Sequence, residues 1–183
     1  MWNEYQGCCL RVMTGSSVLD VGCGPGEQRA EVVELWRARQ YAGVDLSYGM
    51  VRDAHRLWAD SLFLAASAQG LPLRDGSFDV VTSSFLFHHI PPADRLTALR
   101  EQLRVGNFVL LRDLHAIELG LTAWFYGLYS SVFDGSERRF TAPEWRQFLA
   151  AAGAEILAEG YANTDHVLGR HCFFLLRQIQ SNA

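Results

Sequence analysis

The stretch Val18-Leu19-Asp20-Val21-Gly22-Cys23-Gly24-Pro25-Gly26 decides the reading of this chain. A short apolar run ends in glycines at alternate positions, and about 20 residues later a second run, Tyr41-Ala42-Gly43-Val44, ends in Asp45. A strand that opens through a glycine turn, followed by a strand closed by a carboxylate, is how a doubly wound sheet grips a nucleoside. Gly22, Gly24 and Gly26 let the backbone turn tightly and approach a ligand that a Cβ would push away. Asp45 can accept hydrogen bonds from two neighbouring ribose hydroxyls. A dinucleotide fingerprint needs glycine at its first, third and sixth positions, and the sixth position counted from Gly22 is Glu27. Nicotinamide binding is therefore disfavoured.

Outward from this stretch, strands and helices alternate. Strands are expected at Ser17 to Val21, Gln40 to Val44, Ser61 to Ala65, Ser77 to Ser83 and Asn107 to Arg112, with apolar runs that suit a sheet covered on both faces. Helices are expected between them at Glu27 to Arg39, Ser47 to Trp58 and Pro91 to Arg104. In the last, prolines mark the start and Leu96, Leu99 and Leu103 form one stripe. Thr141-Ala142-Pro143-Glu144 reads as a capping box, opening a helix with Trp145, Phe148, Leu149 and Ala152 on its apolar face and Gly153 at its end. Two further strands, Glu155 to Glu159 and His171 to Leu176, complete the pattern.

Composition fits one compact domain. A chain of 183 residues, 49% of them apolar, buries a substantial core without disulfides or a structural metal. A net charge of only −4 argues against disorder and against a basic nucleic-acid surface. All sixteen basic residues are arginine, so no side-chain amine is available for Schiff-base chemistry. Cys8, Cys9, Cys23 and Cys172 form no Cys-x-x-Cys pair and have no His-rich partner run, so no metal site is expected. The N-terminus lacks a basic segment ahead of a long apolar run, which predicts a cytoplasmic protein with reduced thiols. Leu119 to Val132 is apolar but interrupted by glycine, serine and threonine, and is too short for a membrane span.

Four pieces stand in a telling order: Asp20-Val21-Gly22-Cys23-Gly24-Pro25-Gly26, Gly43-Val44-Asp45-Leu46-Ser47, Leu71-Pro72-Leu73-Arg74-Asp75-Gly76-Ser77-Phe78-Asp79-Val80-Val81, and Leu86-Phe87-His88-His89-Ile90. In them the chain resembles the class I S-adenosylmethionine-dependent methyltransferases, most of all the small-molecule branch that includes the ubiquinone and menaquinone biosynthesis enzymes. The resemblance covers residues 15 to 115 well and the C-terminal third in outline. It implies an α/β fold: a Rossmann-like, doubly wound, mostly parallel seven-stranded sheet with an antiparallel C-terminal strand pair. Residues 1–183 would form a single domain, with 116–139 a lid or a substrate-specificity insertion. The implied cofactor is S-adenosyl-L-methionine, and the implied partner is a small-molecule acceptor. The motif positions assign cofactor contacts to Asp20, Gly22, Cys23, Gly24, Gly26, Asp45, Leu46, Ser67, Ala68 and Ser83. A homodimer stays open. So does the alternative of a catalytically inactive subunit that binds the cofactor or its demethylated product.

Three departures from the family pattern stand out. Only about 15 residues precede the first strand, where relatives carry one or two helices that help cover the site. The proline and glycine turn before the fifth strand is absent. Ser67 stands where an Asp normally accepts from the adenine amino group, which weakens that contact by roughly 1 kcal/mol.

Methyl transfer from a sulfonium is a displacement at an already reactive carbon, so alignment and exclusion of water carry most of the task. A base is needed only where the acceptor must lose a proton. His88 and His89 follow the fourth strand, and either is suited to that role or to orienting the acceptor. The competing reading makes them a structural helix start packed under the cofactor. Asp113 and His115, after the fifth strand, form the second candidate pair. Trp124, Phe125, Tyr126, Tyr129 and Phe133 suit a flat aromatic pocket, a covered sheet edge or a dimer contact. Arg138 and Arg139 suit a substrate carboxylate or a solvated surface.

Overall fold

In the computed structural model, which describes residues 2–116, 139–163 and 170–179, the glycine stretch follows strand β1 (Ser17–Val21). The other strands are β2 (Gln40–Asp45), β3 (Leu62–Ala65), β4 (Phe78–Ser84), β5 (Gly106–Leu114), β6 (Ala154–Asn163) and β7 (Arg170–Gln178). They form one seven-stranded sheet in the order β3-β2-β1-β4-β5-β7-β6. The first five strands pair in parallel, while β7 runs antiparallel to both β5 and β6. The order reverses between β1 and β4, and the carboxyl ends of these strands border the crevice where ligands of such sheets bind.

Helices α1 (Trp2–Met13), α2 (Tyr48–Leu57), α3 (Pro92–Val105) and α4 (Ala142–Ala151) accompany the sheet. Alternation along each strand splits the core in two. Leu19, Val81, Val109, Leu111 and Phe174 meet Leu99, Leu103, Trp145 and Leu149 of α3 and α4 on one face. On the other, Val18, Val80, Leu110, Phe173 and Leu175 meet Tyr5, Cys9 and Met13 of α1. The capping box at α4 is present as read: Thr141 Oγ1 accepts from the Glu144 N–H, and Glu144 Oε2 accepts from the Thr141 N–H.

One expectation needs correction, and the segment before β1, for which the sequence offered no reading, has a structure of its own. The residues before β1 form the helix α1, whose buried Tyr5, Cys9 and Met13 make it a layer of the core. Its apolar positions also include cysteines and an aromatic ring, a stripe less legible than a run of leucines. The long helix expected at Glu27 to Arg39 is much shorter, with Glu31–Leu35 wound as a π-helix. There Trp36 donates to the Glu31 carbonyl at 3.0 Å, and Arg37, with φ of 58°, ends the segment. The wider winding serves burial of both Val32 and Trp36 against the α1 layer. The missing turn before β5 has a physical explanation as well. At Gly106, where helix passes directly into strand, a Cβ would stand 2.6 Å from Val81 Cγ2 and 2.9 Å from the Phe108 carbonyl.

Candidate cofactor and acceptor site

The glycine loop is built on backbone conformations closed to most residues. Gly22 and Gly24 have φ of 78° and 53°, in the left-handed region. The N–H groups of Gly22 and Cys23 donate to the Val44 carbonyl at 2.7 and 3.1 Å, which seats the loop on the end of β2. A Cβ at Gly22 would meet Leu86 Cδ1 at 2.8 Å, whereas at Gly24 no protein atom lies within 4 Å of that position. The open side of Gly24 is where a ligand can approach the backbone.

Asp45 closes the loop from β2. Its Oδ2 accepts from the Gly24 N–H and its Oδ1 from the Ser47 N–H, both at 2.8 Å. Two donors leave capacity on a carboxylate that accepts about four hydrogen bonds. Ser47 in turn caps α2, its side chain accepting from Met50 N. The same aspartate thus orders the glycine loop and faces a cavity of about 320 Å³, within the range of small-molecule sites. The walls of this cavity include Gly22, Leu46, Ala68, Gln69, Leu86 and Ile90, with His89 and Phe85 at one side.

The other residues expected to touch a cofactor are placed differently. Asp20 is 2% exposed, and its Oδ2 accepts from the Tyr41 hydroxyl at 2.7 Å. Burial pushes its carboxyl up to about 6, against the opposing effects of the Tyr41 hydrogen bond and the Arg112 charge. Cys23 is buried and its thiol donates to the Gly24 carbonyl. Burial raises its pKa well above the ordinary thiol value. The Ser83 side chain is fully buried and donates to Gln102 Oε1 of α3, away from the cavity. Gly26 packs under Trp58, and Ser67 donates to Gln69 Oε1. Gln69, rather than Ser67, lines the cavity, as do Leu86 and Ile90, none of which the sequence reading singled out. Leu86 and Ile90 flank the His88-His89 pair, so their proximity was available in the motif; an apolar side chain alone carries no chemical signal.

The two candidate pairs for catalysis are interlocked. His88 Nδ1 lies 2.6 Å from Asp113 Oδ1, and Asp113 also accepts from the N–H groups of Phe87 at 2.7 Å and Leu114 at 2.6 Å. Both side chains are buried. The His88 and His89 rings lie 4.1 Å apart, and His89 reaches the cavity wall. His115 turns elsewhere, with its Nδ1 3.3 Å from the Ala116 carbonyl and its ring edge-on to Tyr161. Of the residues 116–139 expected to form a lid or insertion, 117–138, with Trp124, Phe125, Tyr126, Tyr129, Phe133 and Arg138, lie outside the described residues. The flanking Ala116 N–H donates to the Phe140 carbonyl at 2.8 Å, so the chain leaves and returns at one place. Among the described residues no group of three His, Cys, Asp or Glu is arranged to hold a metal. None of their helices is long and apolar enough to cross a membrane.

Comparison with known proteins agrees with this geometry. A family model described as a methyltransferase domain matches residues 18–107. Demethylmenaquinone methyltransferase from Beutenbergia cavernae is 31% identical over 136 residues, covering 73% of this chain and 55% of that protein. Fatty-acid O-methyltransferase from Mycolicibacterium smegmatis is 29% identical over 159 residues, covering 85% and 50%. The chain therefore spans about half the length of these curated relatives. A solved putative methyltransferase from Bacillus halodurans superposes with a TM-score of 0.77 at 17% identity, covering 96% of this chain and 99% of that one. With its motif order, strand order and loop geometry in agreement, this chain belongs to the class I S-adenosylmethionine-dependent methyltransferases.

Proposed function

We propose that this protein transfers the methyl group of S-adenosylmethionine to a small-molecule acceptor. The observation that carries the reading is the joined pair of Gly24 and Asp45: an open left-handed backbone held by a carboxylate that keeps acceptor capacity toward a 320 Å³ cavity. The residues present fit the group. Asp45 would hold the ribose hydroxyls, Gly22 and Gly24 would lie along the amino-acid end, and Leu46, Ala68, Leu86 and Ile90 supply apolar walls for a flat base. When bound, the sulfonium supplies an electrophilic methyl carbon.

The chain's own residues then align the acceptor and keep the site dry. His89 is the member of the four catalytic candidates on the cavity wall, so it is assigned to contact the acceptor and to take its proton where one is lost. His88 and Asp113 are positioning residues, because their hydrogen bond and the Phe87 N–H lock the turn that carries His89. The names of the relatives cover demethylmenaquinone and fatty acids, which supports an acceptor of the same broad class, a small and largely apolar molecule.

Calorimetry with S-adenosylhomocysteine and NAD tests the cofactor, followed by methyl transfer from labelled S-adenosylmethionine to quinol and carboxylic-acid acceptors. Asp45→Ala should weaken the homocysteine nucleoside by about 1.5–3 kcal/mol, the value of charge-assisted hydrogen bonds. Binding of NAD in place of S-adenosylhomocysteine, or an unaltered affinity in the variant, would remove the basis of the reading.

A further inference from the structure

Near the carboxyl end of β5, Arg112 makes no close ion pair among the described residues, although its charge is felt by the buried Asp20 carboxyl. Arg112 is half-buried, and its Nε is buried without a hydrogen-bond acceptor. Its guanidinium lies against two rings, 5.2 Å from the centroid of Tyr5 and 4.8 Å from that of Phe85. Tyr5 belongs to α1 and Phe85 to the wall of the cavity, so the stack runs from the helical layer to the site.

Phe85 itself has φ of 57°, and its N–H donates to the Arg112 carbonyl at 2.8 Å. A bulky residue in the left-handed region costs about 1–3 kcal/mol, a strain found where ligand sites impose it. His171 completes the surroundings, its ring 5.2 Å from that of Phe85. Burial, together with the Arg112 and His115 charges, holds its pKa below the ordinary value.

Aromatic rings against the guanidinium leave its N–H edge as the surface for an acceptor. A planar edge with paired donors matches a carboxylate, which takes two parallel N–H bonds. The charge count points the same way. The chain has no lysine, and one guanidinium is matched by a monoanion better than by a phosphate dianion. A buried N–H without an acceptor costs about 1–3 kcal/mol, which a bound carboxylate would relieve.

We propose that Arg112 is a carboxylate-binding residue, whose guanidinium edge, braced by Tyr5 and Phe85, takes the carboxylate of a small molecule bound at the carboxyl ends of β4 and β5. The inference rests on the methyltransferase reading for its two possible sources of that group: the acceptor, or the amino-acid end of the cofactor.

The test uses the full chain and its Arg112→Gln and Arg112→Lys variants, with thermal unfolding to establish that each is folded. Each is titrated with S-adenosylhomocysteine, with 5′-methylthioadenosine, which lacks the amino-acid carboxylate, and with benzoate, octanoate and inorganic phosphate in the presence and absence of S-adenosylhomocysteine. A cofactor carboxylate predicts S-adenosylhomocysteine binding weakened about tenfold or more in Arg112→Gln, with 5′-methylthioadenosine unchanged. An acceptor carboxylate predicts S-adenosylhomocysteine within about threefold, while benzoate or octanoate binding to the native protein falls about tenfold or more in that variant. The lysine variant should fall between, since it keeps the charge and loses the paired donors. Equal binding of every probe by native protein and Gln variant would overturn the proposal, as would a native preference for phosphate. Should Arg112→Gln fail to fold, the lysine variant and the native preference between carboxylates and phosphate decide. Loss of all nucleoside binding by native protein would instead overturn the methyltransferase reading, and carboxylate binding measured without nucleoside would still decide Arg112.

Discussion

Asp20 and Asp45 stand near the ends of neighbouring strands yet meet opposite surroundings. Asp45 keeps one side toward the cavity, while Asp20 is sealed beneath the loop with the Tyr41 hydroxyl as its hydrogen-bond donor. Burial in such a place favours the neutral carboxyl, which lifts its pKa from the ordinary 3.8 to about 6. The folded state therefore binds more protons than the unfolded chain between these two values, so this group's contribution to stability falls as pH rises through that window and is flat above it. The difference corresponds to about 3 kcal/mol at full ionisation. Asp20→Asn keeps an acceptor for Tyr41 and removes the titration. Urea unfolding at pH 4.5 and 7.5 should show the variant gaining stability relative to native protein as pH rises. A constant difference between the two proteins would mean that Asp20 ionises as freely when folded as when unfolded.

At the scale of elements, the turn after β4 and the end of β5 are held together by one buried carboxylate. Asp113 accepts from Phe87 N, Leu114 N and His88 Nδ1, and an amide in its place offers one acceptor oxygen and presents an N–H₂ group to a donor. Asp113→Asn should lower stability by about 2–4 kcal/mol and cost more methyl-transfer activity than the fraction folded accounts for, because the turn carrying His89 loses its anchor. Activity that tracks the folded fraction alone would reduce Asp113 to a structural role. This juxtaposition was only half legible in the sequence. The glycine stretch and the strand that ends in Asp45 announce themselves because backbone sterics restrict which residues serve there. His88 and Asp113 could be named separately as candidates, but their 2.6 Å contact depends on the parallel pairing of β4 with β5, which no local pattern encodes. Ser83 shows the same limit: its position at the carboxyl end of a strand is local, whereas its hydrogen bond to Gln102 depends on the packing of α3.

For the molecule as a whole, the helix before β1 changes what the short N-terminal segment means. Tyr5, Cys9 and Met13 are at most 1% exposed and pack with Trp36, Leu110 and Phe173, so α1 seals the sheet face opposite α3 and α4. A parallel sheet left bare on one face would expose the apolar residues that its strands carry on both sides. The helix is thus bound to the core by burial, and its Tyr5 ring lies against Arg112 of β5. These two roles separate by position along α1. Met13 lies at the end of the helix in the fully buried cluster, and Met13→Ala should cost about 2–5 kcal/mol by cavity formation. Affinity for S-adenosylhomocysteine, measured where the variant is folded, should stay within about threefold, because the proposed nucleoside contacts, Gly24 and Asp45, lie at the carboxyl ends of β1 and β2, away from Met13. Urea unfolding and calorimetry on the same samples check both halves. A variant of native stability would show that α1 is a detachable cover, and a large loss of affinity at unchanged stability would mean that the helix acts on the cofactor site through the sheet.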